Sequence, residues 1–433
     1  MSVSSPSERY ASPLLGWIMW GLVANLYLVG FFQRVAPAVM VDELMTDFGI
    51  GAAILGNLSA TYFYAYAAMQ IPCGLLADAI GPRRLSATAA LIASVGIFLF
   101  ALAPNIWVAY VGRFLVGASV AVAFVACMKL AGHWFPTNRF ATITGVALLL
   151  GNFGGILAGV PLAEAIALFG WRSSMFASGL VTLAGAVLIW LVVRDDPSER
   201  GYTSFAHASA NQPRKMSPGK SLGMVVRERD TWLLFLAAGF SSAPLLTFAG
   251  LWGVPYLTQI YDLQRSQAAL LTSTMLLAWA IGGPALGALS DRIHRRKPPY
   301  LIANTVAAGL WGVFLLVDLP QPLLYPLFAA IGLSSGGLIV GFAFAREANH
   351  PAVAGTVGGV VNMSILGFAA ILQPLLGAIL DRYWDGTLTA GVPSYSAEAY
   401  FAAFAWLFGC AVLSVLALVP VHETHCKMKD FSS

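Results

Sequence analysis

The sequence predicts an all-α membrane protein: twelve transmembrane helices arranged as two pseudo-symmetric six-helix bundles. Three observations predict it. The composition is 58% apolar and only 10% charged, with a mean hydropathy of +0.75, whereas soluble domains carry about 25% charged residues. About twelve stretches reach the roughly 20 apolar residues needed to cross the hydrocarbon core. A set of residues also recurs at one offset: Asp78 and Asp291 stand 213 residues apart (291 − 78), and the same shift takes Pro161 to Pro374, Trp171 to Trp384 and Gly74 to Gly287. One such match is chance; four at one offset read as a duplicated unit.

Residues 1–13 are polar, rich in Ser, and read as a short cytoplasmic tail. The first six spans follow at 14–40, 50–78, 84–103, 105–131, 140–165 and 171–193, making an amino-terminal bundle over 14–193. Residues 194–230 hold Ser, Pro, Lys and Arg and read as a linker between bundles. The second bundle, 231–420, has spans at 231–260, 267–290, 299–318, 322–346, 354–380 and 397–420, and 421–433 is a second tail. Lys and Arg concentrate in the tails, the linker and alternate loops, while the other loops are acidic at Asp42, Glu43, Asp47, Asp262, Asp318 and Asp385. The positive-inside rule then sets both termini in the cytoplasm, in a plasma membrane of the bacterial inner type.

A formal charge of +4, scattered along the chain, offers no nucleic-acid surface. Cys73, Cys127, Cys410 and Cys426 form no CxxC pair or His/Cys cluster, so no metal site, disulfide framework or cofactor is expected. No nucleophile motif, phosphate loop or acid–base constellation points to an enzyme. The expected partners are a small-molecule substrate, the lipid bilayer, and protons or a counter-anion, with the chain a monomer.

Charged residues inside spans are costly, at least about 2.5–3.5 kcal/mol each, and call for a role. The first half holds Arg34, Arg113, Lys129 and Glu164. At the repeat offset the three cations fall on Thr247, Pro326 and Phe342, so the second half has no matching cation. Its cavity helices offer Thr247, Trp252, Tyr256, Ser334, Ser335 and Phe342 instead, and Asn362 and Gln373 add polar groups in the eleventh span. The expected site is cationic on one wall and aromatic or hydroxylated on the other. A guanidinium at Arg34 suits bidentate capture of a carboxylate or phosphate, or reads as a structural arginine satisfied by carbonyls freed near Pro37 or by Glu164. Lys129 reads either as a ligand or as a lysine snorkelling to the inner surface. Glu164 reads as a titratable coupling group or as the wet outer end of its helix. Tyr62, Tyr64 and Tyr66 alternate at two-residue spacing, which on a helix sends most of them to packing or lipid.

The stretch Gly74-Leu75-Leu76-Ala77-Asp78-Ala79-Ile80-Gly81-Pro82-Arg83-Arg84 joins two spans, and Gly287-Ala288-Leu289-Ser290-Asp291-Arg292-Ile293-His294-Arg295-Arg296-Lys297 repeats it. The pair resembles the cytoplasmic loop signature of the major facilitator superfamily, with Ala79 in place of a basic residue and His294 in place of the turn glycine. The resemblance covers essentially the whole chain and implies the superfamily fold and alternating access. Asp78 and the arginines are then expected to meet across the turn, with Asp78, Arg83, Arg84, Asp291, Arg295 and Arg296 forming a cytoplasmic gate joined by Arg139. Arg34 resembles the first-span arginine of the superfamily's anion families. Arg113, in Arg113-Phe114-Leu115-Val116-Gly117, resembles the fourth-span motif associated with proton coupling. The fifth span lacks the Gly-Pro element of drug/proton antiporters.

The function expected is secondary active transport of a small anionic or zwitterionic solute, such as a carboxylate, amino acid or dipeptide, by symport. The alternatives are a multidrug or metabolite efflux pump and a solute receptor of the same fold that does not transport.

Overall fold

The protein is described by a computed structural model that covers residues 9–136, 139–205, 218–389 and 391–428. Twelve long helices run through it. The first six are α1 (Pro13–Val39), α2 (Ala52–Ile80), α3 (Pro82–Ala101), α4 (Ile106–Trp134), α5 (Thr142–Phe169) and α6 (Trp171–Val192). The second six are α7 (Arg229–Ile260), α8 (Arg265–Arg292), α9 (Lys297–Leu316), α10 (Gln321–Glu347), α11 (Ala354–Arg382) and α12 (Ala397–Leu418). Eleven of them are apolar enough over their described residues to cross a membrane, and α2, at 29 residues, matches them in length.

Local chemistry sets the ends. Ser12 accepts the Leu15 N–H at 3.4 Å and Pro13 opens α1. Asn105 caps α4 through the N–H groups of Trp107 and Val108. Between α2 and α3, Gly81 takes φ 78°, a backbone that glycine adopts without strain. In the second copy the α8–α9 turn is made by His294 at φ 52°, so the missing glycine is replaced by a left-handed histidine. Two helices depart from regular α geometry: α1 tightens to 3-10 geometry over its last four residues, Ala36–Val39, and α7 widens to a π segment over Phe248–Trp252. These two irregular segments pack on each other, which joins the halves on the side of the molecule away from the chain ends.

Twelve crossings put both chain ends on one face. There Thr203 donates its N–H to the Arg9 carbonyl at 2.8 Å, and Tyr10 stacks on Phe205 at 4.7 Å. On the opposite face the short helix Val41–Phe48 follows α1, and a two-stranded hairpin (Leu388–Thr389 with Val392–Pro393) links α11 to α12.

The two faces differ in how the halves meet. Helices α2 and α11 form the principal seam. Toward the opposite face it is tight: a Cβ on Gly377 would lie 2.3 Å from the Ala52 carbonyl oxygen, and one on Gly56 2.7 Å from that of Gln373. Toward the face of the chain ends, Gly132, Gly145, Gly355, Gly358 and Gly359 have no atom within 4 Å of such a position. Among the described residues, every hydrogen bond and ion pair joining the two bundles lies at mid-membrane (Tyr64 to the Ala370 carbonyl, 2.9 Å) or beyond it, away from the chain ends. The molecule is open on the face of its termini and closed on the other.

Candidate solute-binding site

Arg34 is the last residue but one in the regular part of α1, two residues before its 3-10 segment. Its side chain is 7% exposed and runs toward α2. Four rings enclose the guanidinium: Phe31 at 4.3 Å from its carbon to the ring centroid, Tyr66 at 5.6 Å, and Tyr62 and Phe63 at 6.0 Å. A desolvated cation over aromatic faces recovers about 2 kcal/mol, well short of what a buried charge loses on leaving water. Its Nε is buried without a hydrogen-bond partner, and among the described residues no carboxylate pairs with it. The rings leave a positive charge that still wants an anion.

The cage is held by backbone contacts. Tyr62 donates to the Gly30 carbonyl at 2.8 Å, fixing α2 to α1. Gly117 lets α4 approach so closely that a Cβ there would sit 2.2 Å from the Tyr62 carbonyl oxygen. Arg113, 1% exposed, donates to the Gln33 carbonyl at 2.7 Å and to the Ser59 carbonyl at 3.5 Å, with its carbon 5.2 Å from the Tyr62 ring. It grips the residue next to Arg34 and braces the same tyrosine, which is the geometry of a positioning group. Tyr62 and Tyr66, four residues apart, share the face toward Arg34, while Tyr64 crosses to α11. The expectation that most of these tyrosines merely pack passes over that i, i+4 pair, and the spacing itself was the signal.

The other candidate residues fall elsewhere. Lys129 is half-buried and donates to the Ala77 carbonyl, eleven residues along α2 from Tyr66, about 16 Å at 1.5 Å per residue. Glu164 is exposed on the end of α5 toward the closed face. Thr247 is fully buried with its hydroxyl unpartnered. Trp252 is also fully buried and donates its indole N–H to the Gln373 carbonyl at 3.0 Å. Tyr256 packs into an aromatic cluster of the second bundle, 5.0 Å from Phe404 and 5.1 Å from Tyr400. Asn362 and Phe342 are half-buried on α11 and α10. Ser334 turns back on its own helix to the Ala330 carbonyl, and the Ser335 hydroxyl is buried unpartnered. Gln373 is buried with both amide atoms unpartnered, beside the π segment of α7.

On the open face the two loop copies behave differently. Arg296 is 8% exposed and bridges Asp291 at 2.5 Å and Glu347 at 2.8 Å, and Thr424 also donates to Glu347 at 2.6 Å. Arg295 is exposed. In the first copy Arg83 does not reach back across the turn. Its guanidinium donates to the Trp190 carbonyl at 2.7 and 3.1 Å, and its N–H to Asp195 at 2.6 Å, because the end of α6 lies over the start of α3. Arg84 and Arg139 are exposed, and the Asp78 side chain lies outside the described residues. Burial raises the Asp195 carboxyl above its ordinary value, against the pull of the Arg83 N–H. For Glu423, burial pushes upward but the N–H groups of Arg296, His425, Lys297 and Thr424 prevail and hold it below its ordinary value.

Twelve long helices in two repeated sets, closed about an α2–α11 seam, meet a family model at this point: the one described as Major Facilitator Superfamily matches residues 23–374. The chain belongs to the Major Facilitator Superfamily. A probable sulfoacetate transporter of Cupriavidus necator is 25% identical over 84% of this chain and 86% of its own. A probable hexose phosphate transport protein of Chlamydia trachomatis is 23% identical over 91% of this chain and 88% of its own. In fold, the chain matches a crystal structure of a bacterial homolog of the human lysosomal transporter Spinster with a TM-score of 0.73, at 18% identity, covering 95% of this chain and 96% of that one. Membership makes this superfamily protein a multi-pass membrane transporter of small molecules and not an enzyme.

Proposed function

We propose that the protein is a secondary transporter of a small organic anion with a single carboxylate or sulfonate head, held by Arg34. The observation that carries this is the Arg34 guanidinium, buried in an aromatic cage, with no acidic partner among the described residues and an unpartnered Nε. An oxyanion head would supply the missing charge through paired N–H···O bonds. A head with one negative charge suits the site better than a phosphate dianion: Arg113 spends its donors on carbonyls, and Lys129 lies about 16 Å along α2. Relatives named for sulfoacetate and hexose phosphate transport both point to anionic cargo.

In the alternating-access cycle the open state shown here is the cytoplasm-facing one, with both termini inside and the membrane a plasma membrane of the bacterial inner type. Asp78, Arg84 and Arg139 would close that face once the bundles rock together. Protons are the coupling ion we favour, entering by symport with the solute. Purified protein reconstituted in proteoliposomes, tested with sulfoacetate, mono- and dicarboxylates, a hexose phosphate and dipeptides, checks the reading. Arg34→Gln should weaken binding of the accepted anion about 10- to 100-fold, the worth of a hydrogen bond to a charged group. Unchanged affinity in that variant for every anion that the native protein binds would refute the site.

A further inference from the structure

The closed face is fastened across the interface between the two bundles. Asp381 lies in the last turn of α11, in the second bundle. Its carboxylate accepts the Ala52 N–H at 2.9 Å and the Ala53 N–H at 2.8 Å, both at the start of α2 in the first bundle. The Tyr395 hydroxyl donates to the same carboxylate at 2.9 Å, and Tyr395 is itself held through its N–H on Gln259 at 3.1 Å. Helix α2 has no cap of its own: its N-cap is Gly51, where a Cβ would lie 2.8 Å from an Asp381 oxygen. The first N–H groups of a helix need an acceptor, and a negative charge there is favoured by the helix dipole. In this protein the acceptor comes from the other bundle.

A second tie stands beside it. Arg265, which opens α8, donates to Glu43 at 2.5 Å and lies 3.9 Å from Asp42, both on the short helix Val41–Phe48. That pair is half-exposed, and such pairs are weak. The Asp381 cap is the more specific of the two, because the Gly51, Gly56 and Gly377 contacts fix its geometry.

The two seam helices are alike in this respect. Helices α2 and α11 are both 29 residues long, run antiparallel and carry an aspartate in the last turn, Asp78 and Asp381. The N-terminus of α11, on the open face, is preceded by Val353, makes no side-chain cap, and has open space at Gly355. We infer that Asp381 is a gating residue of the transport cycle: its carboxylate holds the closed face shut by capping α2 across the bundle interface, and it must let go of Ala52 and Ala53 each time that face opens. The cap is present in one access state only, so its strength sets the balance between the two states. The inference rests on the alternating-access reading for the names of the states, and on nothing about Arg34 or the solute.

The test measures the closed face directly and needs no solute. Spin labels go on Thr46→Cys and Leu388→Cys, both exposed and on opposite bundles, in a chain whose four native cysteines are replaced by alanine. Distances are read by pulsed electron paramagnetic resonance in lipid. Asp381→Ala should raise the long-distance population about tenfold, the loss of one helix cap of ordinary strength. Asp381→Asn, which keeps an acceptor oxygen, should give a smaller rise, and Tyr395→Phe one smaller still. These two milder changes carry the test if the alanine variant does not fold. Gly51→Asp added to Asp381→Ala gives α2 a cap of its own, since Gly51 has ordinary extended backbone. That double variant should recover the melting temperature while keeping the long distances. Native-like distances in Asp381→Ala and Asp381→Asn would overturn the inference. So would recovery of short distances in the double variant, which would reduce Asp381 to a cap that any residue could supply.

Discussion

The two copies of the aspartate–arginine turn share a sequence pattern and differ in what they hold. In the second copy, Arg296 is buried between Asp291 and Glu347, and the tail adds Thr424 and Glu423, so the charges are satisfied within one bundle. In the first copy, Arg83 turns to the end of α6, and Arg84 and Arg139 stay exposed. The repeat offset shows the cause: Glu347 corresponds to Trp134 (347 − 213), whose indole N–H goes to the Arg194 carbonyl at 3.0 Å. One copy has an internal acid for its arginine and the other has a tryptophan. The duplicated unit has been divided into a clasp with an acid of its own and a loop whose arginines bind carbonyls or stay exposed.

The sharpest way to break this comparison is to remove the internal acid. Glu347→Gln leaves Arg296 buried with the Ser290 hydroxyl and the largely exposed Asp291, its one remaining carboxylate among the described residues, and should lower stability by about 3–5 kcal/mol, read as a fall in melting temperature in detergent or nanodiscs. A smaller effect is expected at the tail. Glu423 is held below its ordinary value, so its contribution is complete above the unfolded carboxylate value of about 4.3 and is lost as pH falls through the folded one. The melting-temperature gap between the native chain and Glu423→Gln should therefore be steady from pH 8 to 5 and shrink below about pH 4. The smallest effect belongs to the first copy: Arg83→Gln should cost no more than about 1 kcal/mol, since its partners are carbonyls near the surface. A loss at Arg83 equal to that at Glu347 would show that the copies are not divided in this way.

Much of this was legible beforehand. The helices follow from apolar length, because a bilayer forces every backbone group to bond within its own segment, and the first loop's turn follows from Gly81 and Pro82. Arg34 was legible as a charge inside a span that calls for a reason, as a solute ligand or as a satisfied structural arginine. The rings around it were less so. Tyr62 and Tyr66 are four residues apart, but which face of α2 meets α1 is decided by the Gly30 and Gly117 approaches, and no local pattern records those. Trp252 and Tyr256 read as a cavity wall, yet α7 turns them into the second bundle's packing, where the π segment resets the register. Arg83 was expected to face Asp78, and the end of α6 intercepts it.

The sequence by itself determined the number of helices, the duplication, and the asymmetry of charge between the halves, since each depends on composition along one segment or on comparison of one segment with another. Only the tertiary structure decided which face is shut and what shuts it. Asp381 and Ala52 are 329 residues apart, and a carboxylate meets the start of a distant helix only when two whole bundles pack. Their packing follows from the summed shape of many small-residue contacts, which no single residue announces.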